Sequence, residues 1–208
     1  MQKMKRVEIA IAVGLIAAIL VCFTGFAKTS EEISQDVLRL HILANSDSAE
    51  DQALKLAVRD RLLADVPELF AEAKDRDSAA AAAQERLDEI RAIVTDEIAR
   101  QGYDYTCDAQ IVDMYFNTRE YDDFAMPAGN YRALRVTIGA AEGKNWWCVM
   151  FPPLCLPSAA EAPTVEESFS AQEAELMQAP EPQYEVKFKT LEVWEKVKDT
   201  VRGWFDGE

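Results

Sequence analysis

His41 is the one histidine among 208 residues, and together with four cysteines it offers the only nucleophile-and-base chemistry the chain could assemble. A thiol attacks as the thiolate, so a Cys/His hydrolase needs the imidazole within hydrogen-bond reach of one sulfur. Cys107 and Cys148 are the thiols a fold could bring to His41, but neither stands at a spacing that enforces the contact. No close Cys, His or Asp pairs occur at zinc spacing. We therefore expect no catalytic residues, no metal and no cofactor, with His41 a structural hydrogen-bonding residue or part of a partner face. Cys22 lies in an apolar run, which leaves Cys107, Cys148 and Cys155. Cys148 and Cys155 bracket Pro152-Pro153, a turn that could bring the two sulfurs together, and closing so short a loop contributes about 2.5 kcal/mol by chain entropy. A Cys107 to Cys148 bridge and three unpaired thiols are the competing readings.

Binding residues are easier to nominate than catalytic ones. Trp146 and Trp147 are consecutive, so on a strand they point to opposite faces and at most one lies fully in the core. The other is the first choice for a binding hot spot. The candidate partner-contact residues are Arg39, His41, Asn45, Asn145, Trp146 and Trp147. A net charge of −15 with no basic groove argues against nucleic acid as a partner.

These residues need a framework. Leu38, Leu40 and Ile42 alternate with Arg39 and His41, the period-two pattern of a half-buried strand with the polar pair outward. Asn45-Ser46-Asp47-Ser48 breaks the strand, and Asn45 and Asp47 are read as helix caps ahead of direct contact residues. Leu54, Val58, Leu62 and Val66 make an apolar helical stripe, with Lys55, Arg59 and Asp60 outside and Pro67 kinking or restarting the helix. A second helix is expected from about Ser78 to Gln101, burying Leu87, Ile90, Val94 and Ile98 and ending at Gly102. Tyr103 to Ile111 then alternates, and from Val112 the apolar parity flips, which suggests a bulge near Ile111. Pro127 to Asn130 supplies a turn before the strand Tyr131 to Ile138, and Asn145 to Phe151, apolar on both faces, reads as a central strand or as one face in the core and one against a partner. The expected fold is α+β, a mainly antiparallel sheet with two helices on one face.

Both ends read as appendages. Lys3, Lys5 and Arg6 precede nineteen residues, Ile9 to Ala27, whose only polar side chain besides Cys22 is Thr24, and Gly25 and Ala27 suit a signal peptidase. Residues 1–27 are thus a signal peptide or a signal anchor, and Lys28 onward is exported. The α+β domain spans 28–155. Residues 156–183 read as an acidic flexible tether, and 184–208 as an amphipathic helix, with Leu191, Trp194, Val197, Val201, Trp204 and Phe205 on one face. That helix either docks back on the domain or meets a membrane surface or partner.

Two stretches carry a resemblance. Leu38 to Ser48, followed by Asp51-Gln52, Leu54-Lys55 and Val58-Arg59-Asp60, is similar to the opening motif of the stage II sporulation protein R family. Pro127-Ala128-Gly129, Tyr131, Ala133 to Val136, Ile138-Gly139, Asn145 to Val149 and Phe151 to Cys155 resemble its second motif. Asn117 stands where the family usually has proline, and Ala140-Ala141 where it has a glycine-rich turn. The resemblance implies a non-enzymatic signal made in the forespore and exported into the septal space. There it would trigger a membrane-embedded aspartic-type protease of the mother cell that matures the early sigma factor.

Overall fold

The computed structural model describes residues 2–65, 70, 72–121, 123–154 and 163–178; the side chains of residues 2–12, 16, 19, 20, 22 and 23 lie outside that description. Val66 and Pro67, Cys155, and the whole of the expected C-terminal helix lie outside the described residues. The chain forms two compact units. One comprises 34–116 with 130–171, and the other 1–33, 117–129 and 172–208.

The larger unit is a four-stranded sheet with helices against one face. Strand β1 (Leu38–Leu43) leads through the helices α2 (Ala49–Asp65), α3 (Arg76–Glu85) and α4 (Leu87–Arg100) to β2 (Cys107–Phe116), β5 (Gly129–Ile138) and β6 (Asn145–Phe151). The strand order is β2-β5-β1-β6. β1 runs antiparallel to β6 but parallel to β5, Leu38 facing Arg132 and Leu43 facing Thr137. The sheet is therefore mixed rather than mainly antiparallel in its centre. A parallel pair needs a long crossover, and α2, α3, α4 and β2 together supply one, so a turn-by-turn reading of neighbouring strands does not reveal it.

The helical faces lie where periodicity places them. Leu54, Val58 and Leu62 of α2 and Leu87, Ile90, Val94 and Ile98 of α4 are buried against Leu38, Leu40, Ile42, Leu134, Val136, Ile138, Cys148 and Met150 of the sheet. The single expected helix over 78–101 is two, broken at Arg86, whose φ of −112° and ψ of 19° leave helical geometry. Buried positions Ala79, Ala83, Leu87, Ile90 and Val94 keep helical spacing across the break, so the pattern hides it. Asp75 caps α3 with Ser78 in a reciprocal capping box. At the end of α4, Tyr103 N–H donates to Ile98 O and Gly102 N–H to Ala99 O, with Gly102 at φ +86°. This is the Schellman stop expected at that glycine.

β2 runs as one continuous strand through Ile111, the position of the expected bulge. Cys107, Ala109 and Ile111 pack toward the helices, whereas Phe116 is buried among Tyr131 and Trp147 on the other side. Side chains alternate along any strand, so a strand that buries one face at its start and the other at its end shows the same parity change without an extra residue.

In the other unit, α1 (Gln2–Asp36, whose last residues enter the larger unit) is one continuous helix, and β3 (Arg119–Glu120) pairs with β4 (Ala125–Met126) around a Tyr121/Phe124 stack. Among the described residues, no helix is long and apolar enough to cross a membrane. The expected tether is not unstructured throughout. Thr164 caps α5 (Val165–Ser168), α6 (Ala171–Met177) follows, and Val165, Ala174, Leu176 and Met177 are buried. Composition misses these helices because four buried side chains suffice to order them.

Ala141 has φ +57°, the left-handed region that favours glycine, in the turn where a glycine-rich sequence is usual. Ala141→Gly is expected to raise stability by about 1 kcal/mol in equilibrium urea unfolding. A loss of stability would show that the turn does not hold that geometry in solution.

Candidate functional site

The register of β1 against β6 sets His41 opposite Trp147, Ile42 opposite Trp146 and Leu43 opposite Asn145. The two motif stretches are thus adjacent strands, and all six nominated residues gather at one end of the sheet or along one face of it. Two distinct arrangements result.

The first is a polar clamp between the β1–α2 loop and the β5–β6 loop. Ser48 Oγ accepts the Asp51 amide and is the cap of α2. Asn45 and Asp47, expected as caps, reach across instead. Asn45 Oδ1 accepts the Ala140 N–H at 2.9 Å, and Asp47 Oδ1 accepts the Lys144 N–H at 2.7 Å. The Asn45 and Ala44 carbonyls take the Glu142 and Gly143 amides. Beneath them Asp51 accepts Asn45 Nδ2 at 2.8 Å and Ser46 Oγ at 2.5 Å, bonds that lower its pKa. Lys55, expected on the outside, is buried and donates to Gln52 Oε1 and the Lys144 carbonyl. Burial lowers its pKa, and the nearby Asp47 charge opposes that. Sequence could have located this clamp through its run of short polar side chains, but not its target, because the loop whose amides donate to it lies about a hundred residues away.

The second is the sheet face away from the helices. Arg39 is 0% exposed and His41 3%. Both were expected to face outward; the strand is instead interior to the sheet and buried on both sides. The Arg39 guanidinium lies 4.3 Å from the Phe116 ring and 5.0 Å from Tyr131, so cation–π attraction replaces part of its lost hydration. The His41 ring stacks on Trp147, centroids 4.1 Å apart and planes 8° from parallel, with Phe116 edge-on to both. Neither ring nitrogen of His41 finds a hydrogen bond of ordinary geometry, although the Asn145 side chain lies near enough to favour the charged form. Burial, then Arg135, then Arg39 outweigh that, and the pKa falls to about 4. The imidazole is neutral at pH 7.

The tryptophans divide as expected. Trp146 packs on the helix-side core under Arg59, whose guanidinium is 5.1 Å from the ring, while Trp147 lies on the opposite face; both are half-buried. Asn145 is exposed beside them. In this arrangement Asn145, Trp146 and Trp147 present surface, whereas Arg39, His41 and Asn45 hold the sheet end in shape.

Neither Cys107 nor Cys148 meets His41. Cys148 is disulfide-bonded and Cys107 is free, which excludes a bridge between them. Both face the helices, Cys107 against Thr95 and the Arg91 carbonyl, on the side of the sheet away from the imidazole. No cluster of three metal-ligating side chains occurs among the described residues.

Residues 34–161, which contain the clamp and the aromatic face, match the family model described as Stage II sporulation protein R (spore_II_R). Stage II sporulation protein R of Bacillus subtilis (strain 168) is 34% identical over 135 residues, 65% of this chain and 60% of the relative's length. The chain thus spans about three fifths of that relative. No solved structure matches. A match through the full sheet, including both motif strands, shows that the chain belongs to the stage II sporulation protein R family.

Proposed function

We propose that this protein is an exported intercompartmental sporulation signal. It activates a membrane-embedded aspartic-type protease in the mother cell, which then processes the early mother-cell sigma-factor precursor. The observation that carries the reading is the family match across the whole sheet. The site supports it in two ways. Asn145, Trp146 and Trp147 form a half-exposed, rigidly backed rim, and rigid aromatic anchors are what a recognition surface needs. The described residues also hold no thiol within reach of His41, which weighs against the hydrolase alternative for Cys107 and Cys148. The protein acts from the septal space between the two membranes, delivered there by its apolar N-terminal segment; residues 184–208 serve a membrane-proximal contact.

The test is co-expression of this protein with the candidate protease and the sigma-factor precursor in a non-sporulating host. Precursor cleavage should require this protein, persist in His41→Phe, and drop at least tenfold in Trp147→Ala at equal protein level. Cleavage that proceeds equally without it would overturn the signalling role, and full activity of Trp147→Ala would move the contact elsewhere.

A further inference from the structure

We propose that the peptide bond after Ala27 stays intact, so that the exported protein keeps its N-terminal apolar helix; this rests on the export reading above. Gly25 and Ala27 are the small side chains a signal peptidase reads. A protease, however, takes its substrate extended, and susceptibility follows the burial and hydrogen bonding of the backbone at the bond. Here α1 runs without a break from Gln2 to Asp36, through the whole recognition stretch. Thr29 Oγ1 donates to the Gly25 carbonyl at 3.3 Å across the bond, while Thr24 Oγ1, donating to the Val21 carbonyl at 2.9 Å, and the Lys28–Glu32 pair at 3.2 Å hold the helix on either side of it.

Two further features point the same way. These contacts are local, three or four residues apart, so they form with the helix itself and do not wait for the domain to fold. Second, the chain beyond the bond is anchored at once. Ser30, Ile33, Ser34 and Val37 are buried, and Ser30 stands only about 4.5 Å along the helix axis from Ala27. Unwinding enough chain to present Gly25 to Lys28 in extended form would pull these side chains out of their packing. No proline interrupts α1.

The experiment uses the full chain with one epitope at each end, expressed in a host with an active secretory pathway, alongside Thr24→Pro. Thr24 is exposed, and proline there deletes a helical hydrogen bond just before the recognition stretch without altering Gly25 or Ala27. In the wild type both epitopes should remain on one species of full mass, with the C-terminal domain open to protease added from outside. Thr24→Pro should lose the N-terminal epitope and begin at Lys28. A wild-type protein beginning at Lys28 overturns the proposal. Thr24→Pro that stays whole also overturns it, since the helix would then not be what protects the bond. A domain shielded from external protease overturns the export reading, and the retained helix with it, whereas cleavage of an accessible domain sinks retention alone.

Discussion

Gly143→Ala is expected to destabilise the protein by about 3 kcal/mol or more. A Cβ at this position would stand 2.2 Å from the Ser46 carbonyl oxygen, 2.6 Å from its carbon and 2.9 Å from the Ala44 Cβ. Two of those three atoms are backbone, so no rotamer change makes room. The β5–β6 loop would have to move off the β1–α2 loop, and the bonds from the Ala140, Glu142, Gly143 and Lys144 amides would stretch or break with it. Overpacking alone costs about 1–3 kcal/mol, and each lost hydrogen bond about 1 kcal/mol more. Gly102→Ala is the control. Gly102 has φ +86°, yet a Cβ there meets nothing within 4 Å, so the expected loss is only about 1 kcal/mol of backbone strain. Urea unfolding of both variants decides the matter: if Gly143→Ala loses no more than Gly102→Ala, the two loops are not in contact as described.

The same clamp marks where sequence reasoning stops. Helices announce themselves by a period set within each element, and the stripes Leu54/Val58/Leu62 and Leu87/Ile90/Val94/Ile98 were legible for that reason, as was the Gly102 stop. Which strand neighbours which is not a local property. β1 is interior and pairs in parallel with β5, so Arg39 and His41, polar residues on alternate positions, read as a solvent face although both are buried. Period two reports that two faces differ, not that one of them is wet. Lys55 misleads in the same way, its ammonium held by a carbonyl 89 residues away in sequence. What sequence did show was that Asn45, Asn145, Trp146 and Trp147 stand in two motifs, and the β1/β6 register makes the strands of those motifs neighbours. Their division into clamp and surface needed the third dimension.

His41 gives the second large effect, and because it is the only histidine its titration is isolated. Its pKa in the folded protein is about 4, against 6.5 for an unhindered imidazole. Below pH 6.5 the unfolded chain takes up a proton that the folded chain refuses, so stability falls as pH drops from 6.5 toward 4 and levels off once both states are protonated. The total is about 3 kcal/mol, from roughly 1.4 kcal/mol per unit of difference. Stability at pH 7 is nearly unaffected, since the imidazole is neutral in the folded state and mostly neutral in the unfolded one there. Asp51, Asp75 and Asp108 also lose stabilisation on acidification, but their pKa values lie below the ordinary carboxylate range and act at lower pH. Arg39 shares the strand face with His41, and β5 sets Arg135 opposite it, so a proton on the ring meets two guanidinium groups at close quarters. His41→Phe keeps a ring against Trp147 and removes two buried nitrogens that lack hydrogen bonds, so it should be at least as stable as the wild type at pH 7. Between pH 4.5 and 6.5 its unfolding free energy, followed by tryptophan fluorescence, should be nearly flat where that of the wild type climbs. An equal slope in the variant would assign the titration to other groups, and a flat wild type would mean that the imidazole is solvated and the Arg39 face open.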